Sequence, residues 1–84
     1  MAQGAEVDAA RPDPRQVLTP RETEVLALTA RGLRNQDVAE ALSVSIHAVR
    51  FHLAAIYRKL GVANRTEAAA RYLVPALDDH RERP

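Results

Sequence analysis

His47, Arg50, Phe51 and His52, followed by Arg58 and Lys59, are the residues of this 84-residue chain whose types and spacing could do chemistry. That chemistry is recognition. Guanidinium, ammonium and imidazole groups beside an aromatic ring suit phosphates and base edges. Covalent catalysis has no basis here, because no nucleophile is paired with a base and no Gly-rich phosphate loop is present. The chain has no cysteine, which excludes a disulfide framework, thiol chemistry and Cys-ligated zinc. The three histidines, His47, His52 and His80, lack a metal-site spacing, so neither a metal nor a cofactor is expected. A chain this short supports one small domain, and a 60-residue core buries only about 60% of the surface its unfolded chain exposes. No apolar run approaches the ~18 residues of a membrane span. Residues 1–17 also lack the apolar stretch of a secretory signal, so the expectation is a cytoplasmic protein with no membrane partner.

The formal charge of +1 argues at first against an anionic partner. Its distribution argues the other way. Residues 1–17 and 78–84 each sum to −1, and residues 18–77 to +3. Between Glu40 and Glu67 there is no acid, while Arg50, Arg58, Lys59 and Arg65 give that window +4. One half of a tiny domain is basic, as expected for contact with phosphate or an acidic partner. A merely solvated helix face would also fit the charge alone.

The elements that position these residues follow from caps and periods. Thr19, Pro20 and Glu22 form a helix start, with Thr19 as cap, Pro20 at the first helical position and Glu22 closing a capping box. Val25, Leu26, Leu28 and Ala30 continue it to about residue 31, and Gly32 with Leu33 supplies the stop. A second start falls at Arg34–Asn35, with Asn35 the natural cap and a boundary that can shift by one residue; Val38, Ala39 and Leu42 lie on one face. Ser43-Val44-Ser45 interrupts, and Ser45 caps a third helix over 46–60 that Gly61 ends. So short a connection forces a large crossing angle, the geometry of a helix-turn-helix. With residues ~100° apart, Val49, Leu53, Ile56 and Leu60 fall within a ~60° sector and form the buried stripe. His47, Arg50, Phe51, Ala54 and Arg58 lie on the far side. His52 and Lys59 flank one edge of the stripe and Tyr57 the other. Asn64 and Glu67 open a fourth helix carrying Ala68, Ala69, Tyr72 and Leu73, which ends at 73 or 74 because Pro75 follows. Nothing reads as a strand. The expected fold is all-α, a four-helix bundle-like domain over 18–77 with helices at about 20–31, 35–42, 46–60 and 65–74. Residues 1–17 are expected to be a disordered arm or linker, and 78–84 a disordered tail.

The motifs LTPRETEVLALTARGL, NQDVAEAL, SVSIHAVRFHLAAIYRKLGV and NRTEA, in this order and spacing, resemble the LuxR-type (GerE-like) helix-turn-helix domain of bacterial transcription regulators. The resemblance covers Leu18 to about Leu73. Region 4 of bacterial sigma factors has a similar first helix and helix-turn-helix, but not the KLGV-x-NRTEA extension. The resemblance implies that the third helix lies in the major groove of double-stranded DNA with the second bracing it. It also implies that the fourth supports a homodimer on DNA through Ala68, Ala69, Tyr72 and Leu73, for which helix propensity alone is the plainer account of the alanines.

Arg50 stands where the family carries a basic residue, and its fork suits guanine O6 and N7. Phe51 faces outward, towards a thymine methyl or against a neighbouring subunit or loop. His47 is placed for a phosphate or base edge, or is simply solvated. His52 matches a common family histidine, either packed or on a phosphate. Arg58 and Lys59 suit phosphates, or the helix C-terminus by charge. Ser45 is a cap first and a phosphate contact second. Two positions depart from the family pattern. Ala54 replaces a long polar side chain and Ala48 a threonine, which thins direct readout and favours DNA shape. Ala54 keeps open a second reading, a module that contacts a regulatory protein or RNA polymerase with weak DNA affinity. The arm and leading Met fit an excised C-terminal domain or a stand-alone regulator equally.

Overall fold

The computed structural model describes residues 13–74, and every described element is helical. In chain order they are α1 (Pro14–Val17), α2 (Pro20–Ala30), α3 (Asn35–Leu42), α4 (Ile46–Leu60) and α5 (Arg65–Leu73). The four longer helices fall where caps and periods place them. α1 is an addition: the last residues of the expected arm form a helical turn, and Val17 packs against the core. The rest of that arm, and the tail at 78–84, lie outside the described residues.

Local chemistry sets each boundary. Thr19 Oγ1 accepts from the Glu22 N–H at 3.1 Å while Glu22 Oε1 accepts from the Thr19 N–H at 2.9 Å, a reciprocal capping box. α2 stops at Ala30, one residue short of the expected end. Gly32 takes the left-handed conformation (φ +97°), and the Leu33 N–H reaches back to the Leu28 carbonyl at 3.3 Å. Asn35 is not the cap of α3. Arg34 occupies that position without a capping side-chain bond, and the Asn35 side-chain Oδ1 accepts instead from Arg65 at 2.8 Å. Ser43 ends α3 with φ +58°, an uncommon conformation for a residue with a Cβ, and the Val44 N–H returns to the Ala39 carbonyl at 2.9 Å. Asn64 caps α5 through the Glu67 N–H, while the Glu67 carboxylate bonds the Ala63 N–H rather than that of Asn64.

α2 packs on α5 and α4, α3 packs on α4, and α1 touches α4. The core between them holds Val25 and Leu26 from α2, Val38 and Ala39 from α3, all four α4 stripe residues, and Ala68 from α5. Leu26, Ile56, Val25, Val38 and Val49 are fully inaccessible. Such packing fixes the rotation of α4 about its own axis, and so fixes which residues it turns to solvent. Ala55, which the stripe does not include, is also buried, as are Glu22 and Thr29.

Candidate nucleic-acid interface

The outward face of α4 is an exposed surface of mixed chemistry. His47, Arg50, Phe51, Ala54 and Arg58 are all exposed, opposite a stripe that is fully or almost fully buried. Phe51 keeps 71% of its surface open to solvent, the largest exposure among the described large apolar residues. Its ring meets His52 edge-on, with centroids 5.9 Å apart and planes at 68°. His52 itself is half-buried, between the stripe and the open face. Ser45 caps α4 by accepting the Ala48 N–H at 3.0 Å, which leaves the Ile46 and His47 N–H groups without an intrahelical partner. Among the described residues, neither Arg50 nor Arg58 pairs with a carboxylate.

Three of the residues singled out from sequence have surroundings that bear on their expected roles. Lys59 is directed inward to Glu22, donating to both carboxylate oxygens at 2.8 and 3.0 Å. A phosphate contact would have to compete with that pair. Ala68 is fully buried and belongs to the core, so it presents no surface to a second subunit. Tyr72 is half-buried and packs on the core. Leu73 is 60% exposed, and Val74 beside it 45%. The open surface of α5 is therefore its C-terminal end, together with exposed Ala70 and half-buried Ala69.

Charges that the sequence counts towards one basic window are thus divided. Arg65 bonds the Asn35 side chain and the Leu33 carbonyl, tying α5 to the turn before α3. Arg71 donates to the Leu60 carbonyl at 3.2 Å and so caps the end of α4. These basic groups frame the helix-turn-helix from within, and Arg50 and Arg58 remain on its surface. Neither arginine strut, nor the Lys59–Glu22 pair, carries a local signal, because each joins residues far apart in sequence.

Glu22 joins the start of α2 to the end of α4. Burial pushes its carboxyl pKa up, but the Lys59 hydrogen bond and charge, with the Thr19 bonds, outweigh that and hold it below the usual carboxylate value. A depressed carboxyl contributes stability at pH above its unfolded value and loses it as pH falls through the folded one. Glu22→Gln should therefore cost about 1–2 kcal/mol at neutral pH, a modest figure because the Lys59 side chain keeps 36% of its surface in water. It should also flatten the fall in melting temperature on acidification below the ordinary carboxylate range. Thermal unfolding of both proteins from pH 3 to pH 7 checks this.

Among the described residues no group of three His, Asp or Glu side chains could hold a metal ion, and no helix is long and apolar enough to cross a membrane. Residues 16–72 match the GerE family, described as bacterial regulatory proteins of the luxR family. The chain is 38% identical over 76 residues to the probable transcriptional regulatory protein SgaR of Hyphomicrobium methylovorum, covering 90% of this chain and 36% of that protein. It is 43% identical over 56 residues to the transcriptional regulatory protein LiaR of Bacillus subtilis (67% and 26%). It is 40% identical over 68 residues to the nitrate/nitrite response regulator protein NarP of Escherichia coli (81% and 32%). The chain spans about a quarter to a third of the length of these relatives. A match across most of a helix-turn-helix whose second helix presents an open basic face places this chain in the luxR family of bacterial regulatory proteins, as a DNA-binding domain of the transcription-regulator type.

Proposed function

We propose that the domain binds double-stranded DNA site-specifically, with α4 in the major groove, α3 bracing it across the backbone and the C-terminal end of α5 supporting a homodimer on DNA. The observation that carries this reading is the outward face of α4, where Arg50, His47, Phe51 and Arg58 stand together unburied on a helix whose other side is locked in the core. A helix of this kind fits the major groove, and residues of its first turns reach base edges. The Ser45 hydroxyl and the open Ile46 and His47 N–H groups suit a backbone phosphate. Arg50 reads a base, Arg58 holds a phosphate, and His47 contributes from the first turn with His52 at the edge of the face. Lys59 acts chiefly through Glu22. In the dimer contact, Leu73, Val74 and Ala70 take the part that Ala68 cannot, with Ala69 and Tyr72 at the edge.

Selecting bound sites from a random DNA pool tests the reading. A pair of related half-sites is the expected result. The affinity of the selected duplex should then fall by about two orders of magnitude between 50 and 200 mM salt, if a dimer neutralises about four phosphates. A titration that stays flat, or a single subunit per site, contradicts the model of a groove-bound dimer. Tight salt-insensitive binding to RNA polymerase or to a regulatory protein would favour the protein-interaction reading that Ala54 keeps open.

A further inference from the structure

Phe51 is an exposed apolar ring that the fold itself does not use. It keeps 71% of its surface in solvent, and among the described residues its ring contact is with half-buried His52. One helical turn on, exposed Ala54 extends the apolar surface, since residues three apart are neighbours on a helix. This small apolar strip runs between Arg50 and Arg58, both exposed and without a carboxylate partner among the described residues.

The charged border decides between the two occupants that an exposed phenylalanine invites. A second copy of the chain packed on this face about a two-fold axis would bring Arg50 and Arg58 of one copy against the same arginines of the other, with no acid on the face to offset them. A polyanion whose groove carries apolar groups meets both needs. The major groove of DNA offers one such group, the 5-methyl of thymine, beside base edges that Arg50 can address.

We infer that Phe51, with Ala54 behind it, is a specificity-determining residue that reads a thymine methyl next to the base contacted by Arg50. The inference rests on the DNA-binding reading above. It names what the first turns of α4 select: a step that places a thymine methyl within reach of the arginine's partner base. It also accounts for alanine at position 54, where a longer polar side chain would crowd the methyl.

The test uses the 84-residue chain and the duplex recovered from a random pool, with each thymine replaced in turn by uracil, which removes only the methyl. For the unaltered protein, replacement in one half-site should weaken binding about fourfold, the worth of one methyl removed from water, and replacement in both about fifteenfold. Phe51→Ala should bind the thymine duplex more weakly by a similar factor and be indifferent to uracil at that position alone. Because the ring is exposed, this variant should keep its helical circular dichroism and melting temperature. Uracil sensitivity that is equal in the two proteins at every position overturns the inference, as does insensitivity of the unaltered protein throughout. In either case salt-dependent binding to the selected duplex leaves the DNA reading standing. Failure to select any sequence overturns that reading first, and this one with it.

Discussion

Arg50→Ala should abolish protection of the selected site in a footprinting assay while leaving the domain folded. Arg50 is exposed and pairs with no carboxylate among the described residues, so removing its side chain breaks no internal ion pair. Its loss is felt only where a ligand stands. A bidentate arginine–guanine contact is worth roughly 1–3 kcal/mol of discrimination. A dimer uses two, so the specific complex should lose about 2–6 kcal/mol, or roughly thirtyfold to twenty-thousandfold in affinity. Few other long polar side chains share the face, since exposed Ala54 stands one turn on from the arginine. Little is therefore left to hold register once it is gone. Arg50→Lys separates its two roles. A lysine keeps the charge but not the fork, so it should preserve much of the salt-dependent affinity while relaxing the preferred base at that position. Arg58→Ala offers the contrast of a phosphate contact: weaker binding to all sequences alike, and a shallower salt dependence. Unchanged footprints with Arg50→Ala would remove α4 from the groove.

The parts of this molecule that could be read from its sequence are those decided within a few residues. Thr19 with Glu22, Ser45, Gly61 and Asn64 each act on their own turn, so the four long helices and the stripe of Val49, Leu53, Ile56 and Leu60 follow from caps and period. The outward set on α4 follows from the same stripe, because burying one side of a helix exposes the other. What escaped depends on docking between helices. Lys59 has the type and position of a phosphate contact, and only the approach of α2, 37 residues away in sequence, turns it towards Glu22. The alanines of α5 are alike in composition, and it is the packing of α5 on α2 that buries Ala68 while Ala70 stays open. Asn35 is an excellent cap by type, yet Arg65 engages it from 30 residues away. The net charge of +1 misled for a related reason: it sums acidic and basic stretches of the sequence, and even the +4 window contains two cations spent on internal contacts.

Ile56→Ala should have the opposite signature to Arg50→Ala: loss of folding with specificity intact. Ile56 is fully inaccessible and lies on α4 near the middle of the stripe, facing away from the exposed set. Truncating a buried isoleucine to alanine costs about 2–5 kcal/mol, the lost transfer energy plus the cavity that neighbours fill only in part. A domain of this size has a total stability of only about 3–9 kcal/mol. A large share of the variant should therefore be unfolded, with a lower urea midpoint by far-UV circular dichroism, whereas Ile56→Val should cost only about 0.5–1.5 kcal/mol. DNA binding then reports the folded fraction and nothing else. Because DNA binds only the folded state, a specific duplex at about 100 times its dissociation constant contributes about 2.7 kcal/mol and should restore the helical signal of Ile56→Ala. A mismatched duplex should not. Arg50→Ala should show neither the loss nor the rescue. The two substitutions sit on one helix two turns apart, and the separation of their effects would establish that α4 divides its work by face, folding on one side and reading on the other.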